Sequence, residues 1–280
     1  MKVSGVFFVS LLFGVIFASL RAKAEDIKKY SFKPPPDLVR TDVYVLKMEW
    51  QPRAILILCP GANGNGEGMI RQREWQEFAR EQHLALAGLS FASDNSLLRN
   101  CGRGYYCAAK GSGQALLEAL RKIYGRDLPL LFYGFSGGAH FTSGFVEWKP
   151  DRVISWCAYS AGWWDTPLKS AVNPPGIVAC GDEDPRYGAT MIYFKQGRAA
   201  GKPWLWISLP GIGHATSPQL EGFIRQYFAA VLEHPIPKGL WVDVELNTPA
   251  SELLPKEHPS LTGWMPRTNL FEQWKGINKP

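Results

Sequence analysis

A chain of 280 residues, 46% hydrophobic and 20% charged, has the balance of a packed globular protein, and α/β sheets of this length commonly form one large core. That balance excludes a disordered chain. The basic surplus of six falls by three once Lys2, Arg21 and Lys23 are discounted, and no run of Lys/Arg interleaved with aromatics is present, which disfavours nucleic-acid binding.

Lys2 gives a positive start, Val6 to Leu20 is almost wholly apolar, and Ala22-Lys23-Ala24 has the small-x-small form of a cleavage site. Residues 1–24 are expected to be a signal peptide removed before Glu25, which makes the mature chain secreted or periplasmic, with no stable membrane span. An uncleaved anchor is the competing reading, and the apolar run is short for it. After the stiff Pro34-Pro35-Pro36 lead-in, short apolar runs alternate with helical patterns, the signature of an α/β fold with a mostly parallel central sheet and helices on both faces.

The expected strands are Val43 to Met48, Ala54 to Cys59, Leu84 to Phe91, Leu130 to Tyr133, Val153 to Ala158, Ile177 to Cys180 and Trp204 to Leu209. Most are continuous apolar runs, as buried parallel strands require. The expected helices are Glu67 to Gln82, Gly113 to Tyr124 with Ser112 as its cap, Gly137 to Glu147, Arg186 to Arg198 and Pro218 to His234. Residues 25–234 thus form the main domain. Prolines interrupt residues 235–280, while Trp241, Trp264 and Trp274 supply surface to bury, so this extension is expected to pack on the domain.

Five cysteines in an exported chain permit a disulfide. Cys59, Cys157 and Cys180 lie in apolar strand runs, where cysteine behaves as a small hydrophobe. Cys101 and Cys107 flank a short loop and are read either as a bridge or as two thiols. No cysteine or histidine spacing suggests a metal site, and none is expected.

Gly134-Phe135-Ser136-Gly137-Gly138 follows a strand and opens a helix, which is the context a G-x-S-x-G elbow requires. Ser136 is therefore the expected nucleophile. A hydroxyl needs a base, and His214, in the loop after the last strand, lies at the sheet edge where α/β folds place their sites. His83, His234 and His258 read as surface or capping residues, and His140 as a residue packed beneath the nucleophile. The Gly181-Asp182-Glu183-Asp184 turn offers the carboxylate that orients the base; Asp184 is preferred to Asp182. Amides of Gly137 and Ala62 are the expected oxyanion donors, with Asn63 as second choice in the glycine-rich loop after the second strand. Asn63, Tyr105, Tyr106, Trp163 and Trp164, with Tyr159, are the candidates for a substrate pocket, against a competing role in core packing.

In these four features and their order, residues 42 to 234 resemble the α/β-hydrolase superfamily, especially its secreted esterases of the polyhydroxybutyrate-depolymerase-like and feruloyl-esterase-like kind. Where many relatives carry histidine before the oxyanion-loop glycine, this chain has Pro60. The resemblance implies a Ser-His-Asp triad, an acyl-enzyme, a small-molecule or polymer-linked ester substrate and no cofactor. A serine peptidase of the same fold and a non-catalytic binding protein are the alternatives.

Overall fold

The computed structural model describes residues 27–94, 104–233 and 239–279. The expected signal peptide, Cys101 and His234 lie outside these residues.

Eight strands form one sheet: β1 (Ile27–Ser31), β2 (Leu38–Leu46), β3 (Ala54–Cys59), β4 (Leu84–Ser93), β5 (Leu130–Phe135), β6 (Val153–Tyr159), β7 (Gly176–Gly181) and β8 (Trp204–Leu209). Their order is β1-β2-β4-β3-β5-β6-β7-β8. β1 and β2 run antiparallel to their neighbours, and every pairing from β4 through β8 is parallel. β3, β4, β7 and β8 are buried along their whole length, as their mainly apolar runs require. β1 escaped the sequence reading because it is a polar edge strand whose sequence, IKKYS, offers little to bury.

The helices of this domain are α1 (Gly66–Ile70), α2 (Arg73–Glu81), α3 (Ser112–Tyr124), α4 (Gly137–Trp148), α5 (Tyr187–Ala199) and α6 (Pro218–Glu233). Adjacent residues of a strand face opposite sides of a sheet, and β5 shows what covers each side. Phe132 meets Phe145 of α4 at 4.8 Å between ring centroids, while Tyr133 stacks on Trp75 of α2 at 5.4 Å. The Tyr133 hydroxyl also reaches Glu221 of α6 at 3.1 Å.

Two helix expectations need correction. The pattern from Glu67 to Gln82 is split into α1 and α2, with Arg71 as the C-cap of the first and Gln72 as the N-cap of the second. Ser112 does not cap α3: it is the first helical residue, Gly111 at φ 122° precedes it, and its hydroxyl donates to the Tyr105 carbonyl at 3.0 Å. That hydroxyl ties the loop to the helix instead.

Residues 239–279 add β9 (Leu240–Asp243), β10 (Thr248–Pro249), α7 (Leu254–Glu257), β11 (Thr262–Met265) and α8 (Phe271–Ile277), with the three strands in a small antiparallel sheet. Its anchor is Arg198 of α5, a buried guanidinium that donates to the Thr262 carbonyl at 2.7 Å and stacks over Trp241 at 4.3 Å. The extension also closes the edge of β8. Trp274 donates to the Trp206 carbonyl at 2.8 Å, the Asn278 side chain accepts from the Ser208 amide at 2.7 Å, and the Lys279 amide donates to the Ser208 carbonyl at 3.2 Å. An edge strand's backbone groups are thereby paired.

Candidate active site

The turn that presents Ser136 depends on missing side chains. A β-carbon at Gly134 would stand 2.2 Å from the Gly138 carbonyl oxygen, and one at Gly138 would stand 2.0 Å from the Cys59 carbonyl oxygen. Only glycine lets β5, α4 and the end of β3 approach this closely. Ser136 itself sits at φ 53° and ψ −115°, a strained conformation for a residue with a side chain, and its amide is held by the Tyr159 carbonyl at 2.9 Å.

Its hydroxyl lies 2.9 Å from His214 Nε2. On the other side of the ring, Nδ1 lies 2.7 Å from Asp184 Oδ2. The Asp184 side chain is fully buried and that of His214 is 30% exposed, so the carboxylate is shielded while the imidazole remains open to solvent. Burial pushes the Asp184 carboxyl up, but hydrogen bonds from His214 and from the Arg186 amide and guanidinium outweigh it and hold the group below its ordinary value. It is the ionised form that these partners favour.

The loops carrying the two residues are tied to each other. A β-carbon at Gly181 would stand 2.0 Å from the Ile212 carbonyl oxygen, so glycine permits the approach. The Glu183 amide donates to that carbonyl at 3.1 Å, and Asp182 accepts from the Gly211 amide at 2.7 Å. Asp182 thus braces the histidine loop, and Asp184 alone of the pair contacts the imidazole. Phe135 stacks on the His214 ring at 4.9 Å, and the Tyr159 hydroxyl donates to the Ala215 carbonyl at 2.5 Å.

Gly137 is the first residue of α4, so its amide has no acceptor within the helix. The Ala62 nitrogen lies 2.8 Å from where a Gly137 β-carbon would be, and a β-carbon at Gly61 would lie 3.9 Å from Ser136 Oγ. The glycine-rich loop therefore faces the serine across the start of the helix. Arg40, which no sequence pattern singled out, holds it there by donating to the Asn63 and Gly64 carbonyls at 2.9 and 2.8 Å.

Of the pocket candidates, Tyr106 and Trp163 line a cavity of 240 Å³ together with His140, Ser143, Lys110 and Asp165. Tyr106 also borders the serine turn, since a β-carbon at Gly137 would meet its ring at 2.6 Å. Three other candidates make contacts within the fold, and one of them, Tyr105, is corrected by its burial. Tyr105 is wholly buried, with its hydroxyl on the Pro60 carbonyl at 3.3 Å. The Asn63 side chain grips the Ser93 backbone, accepting from its amide at 3.0 Å and donating to its carbonyl at 3.2 Å. Trp164 turns to α5, stacking on Tyr193 at 4.3 Å. Full burial takes Tyr105 away from any pocket wall, while the half-buried Asn63 and Trp164 hold hydrogen bonds within the fold. Tyr159 is fully buried beside the site, where its hydroxyl braces the histidine loop.

His140 is buried and stacks on Trp163 at 3.7 Å between centroids, and its Nε2 accepts from the Gly162 amide at 2.8 Å. Burial, with the nearby Arg186 charge, lowers its pKa to about 3, so it is a neutral wall of the cavity. Among the described residues, no group of three His, Cys, Asp or Glu side chains could hold a metal ion, and no helix is long and apolar enough to cross a membrane.

No protein-family model and no curated protein sequence matches the chain. Solved structures do. The fluorophosphonate-binding serine hydrolase FphF of Staphylococcus aureus is 13% identical, with a TM-score of 0.53 over 74% of this chain and 98% of that one. A ferulic acid esterase is 14% identical, with a TM-score of 0.52 over 74% of this chain and 95% of that one. An arylesterase gives a TM-score of 0.55 at 11% identity, over 74% of this chain and 84% of that one. The chain has the α/β-hydrolase fold. Within that fold, the serine, carboxylate and histidine stand at the carboxyl ends of β5, β7 and β8, the edge at which open parallel sheets carry their ligands.

Proposed function

We propose that the protein is a serine hydrolase of carboxylic esters, with Ser136, His214 and Asp184 as its triad. One observation carries this reading: a serine hydroxyl, an imidazole and a fully buried carboxylate stand in line at 2.9 and 2.7 Å. A hydroxyl so placed can lose its proton to the ring as it attacks, and the buried carboxylate stabilises the imidazolium that forms.

In the proposed reaction, Ser136 Oγ adds to the ester carbonyl while His214 Nε2 takes its proton. The amides of Gly137 and Ala62 receive the oxyanion. Collapse of the tetrahedral intermediate expels the alcohol, which takes the proton from His214, and leaves an acyl-Ser136. Water then adds to the acyl carbon with the same imidazole as base, and the carboxylic acid departs. The cavity walled by Tyr106, Trp163 and His140 would hold the part of the ester next to the reacting carbonyl, since Tyr106 abuts Gly137. Names of proteins that share the fold, serine hydrolase and esterase, agree with this chemistry. The amino-terminal apolar run and its small-x-small site support export to a secreted or periplasmic location.

The test is to incubate the folded chain with a fluorophosphonate and map the adduct, then assay aryl, feruloyl, acetyl-xylan and short hydroxyalkanoate esters. Label on Ser136 that is lost in His214→Ala, with turnover of at least one ester, is the expected result. A folded chain that takes no label refutes the triad; label with cleavage of peptides alone makes it a peptidase.

A further inference from the structure

The triad carboxylate has a second cationic partner. Asp184 Oδ2 faces His214, while Oδ1 accepts from the Arg186 amide and from Arg186 Nη1, each at 3.0 Å. The two oxygens are thus assigned to different partners, and the side chain that carries them has no exposed surface. The Arg186 backbone is fixed, and its side chain is 34% exposed. The residue caps the start of α5, its carbonyl accepts from the Thr190 amide at 3.0 Å and from the Thr190 hydroxyl at 2.9 Å, and its side chain runs past Gly162, whose β-carbon would lie 3.6 Å from Nε.

We propose that Arg186 is a positioning residue that fixes the rotation of the Asp184 carboxylate and tunes His214 to work as a base at lower pH, an inference that rests on the serine-hydrolase reading above. The physical argument is competition for one negative charge. An imidazolium formed beside a carboxylate already paired to a guanidinium gains less than it would beside an unshared one, so the neutral ring persists further into acid. A fixed carboxylate also spends no free energy on reorientation when the imidazolium forms.

The other groups around the pair do not supply this effect. The Asp184 carboxylate is approached by the Ser160 hydroxyl and lies near the Tyr159 phenol and Cys180 thiol, whose ionisation burial opposes. His140, which shares the surroundings of Gly162 with Arg186, is held neutral. Against His214 itself stand Ser136, Asp184 and the uncharged ring of Phe135, with the Asp182 carboxylate on the Gly211 amide of the same loop. Among the described residues, Arg186 is the cation that contacts Asp184 beside His214.

The experiment follows the His214 ring by NMR across pH in the full chain, with the resonance assigned from His214→Asn. It compares the native protein with Arg186→Gln and Arg186→Met, which lose the charge, and with Arg186→Lys, which keeps it. The titration midpoint should rise by about one unit in either neutral variant and by less than half of that in the lysine variant. The acid limb of the kcat/KM profile should move up in parallel. Thermal melts establish which variants fold, and one folded neutral variant is sufficient. An unmoved midpoint in that variant overturns the proposal. Because the midpoint is read without turnover, a shifted midpoint in a chain that hydrolyses no ester refutes the proposed function and leaves the Arg186 effect standing. Hydrolysis with an unmoved midpoint does the reverse.

Discussion

Asp182 accepts a hydrogen bond from the Gly211 amide at 2.7 Å, and so grips the loop that carries His214 without touching its ring. Asp184, two residues on, meets the ring itself. Two carboxylates of one turn therefore divide orientation of the loop from orientation of the imidazole.

Replacement of each by asparagine separates these roles. Asp184→Asn should lower kcat by roughly 10³- to 10⁴-fold, because an amide can present the wrong tautomer to the base. Asp182→Asn keeps an acceptor for Gly211 and should cost less than about tenfold, in line with the loss of a single charge-assisted hydrogen bond. Steady-state kinetics on an aryl ester read both, and equal losses would contradict the division.

His140 makes stability depend on pH. Its folded pKa of about 3 lies below the ordinary 6.5, so between those values the unfolded chain binds a proton that the native one refuses. Stability from this group is complete above 6.5 and declines as pH falls toward 3. Tm should drop accordingly between pH 6.5 and 4.5, and His140→Gln, whatever its own Tm, should show a shallower slope over that interval.

Gly134→Ala tests the turn. The added methyl would meet the Gly138 carbonyl at 2.2 Å, backbone against backbone, so β5 and α4 must part. A loss of more than about 3 kcal/mol in urea titration, or an insoluble product, is expected. Gly188, with nothing within 4 Å of its β-carbon and an ordinary helical setting, is the control and should accept alanine within about 1 kcal/mol of the native stability.

Tyr106→Ala and Trp163→Ala enlarge the cavity that these two rings share with His140 and leave Ser136, His214 and Asp184 in place. KM for a bulky acyl ester should rise by about ten- to a hundredfold, on the scale of a lost aromatic contact, while the rate of fluorophosphonate labelling at Ser136 falls far less. A KM that ignores both changes would separate the cavity from the substrate.

Much of this architecture was legible in the residues. β3, β5, β7 and β8 are apolar along their length because both faces are covered, and such runs announce themselves. Gly134, Ser136 and Gly138 could be read because sterics at one turn demand that spacing, and the order of Ser136, Asp184 and His214 follows from strands that each deliver a loop to the same edge. What escaped was direction. Tyr105 and Tyr106 are neighbours of one kind, yet one is sealed against Pro60 and the other walls the cavity, and only packing separates them. Arg40 and Arg186 act through carbonyls and a carboxylate distant or hidden in the fold, and neither belongs to a pattern. The small sheet of the extension was missed because its strands are two to four residues long and set among prolines.

Asn278 and Lys279 fasten to Ser208, in the strand that leads into the His214 loop. A stretch beyond the main sheet thereby steadies the strand from which the His214 loop departs. Unpicking it would be felt first as a loosened histidine loop, and, once β8 lies bare, as molecules zipping together along that seam.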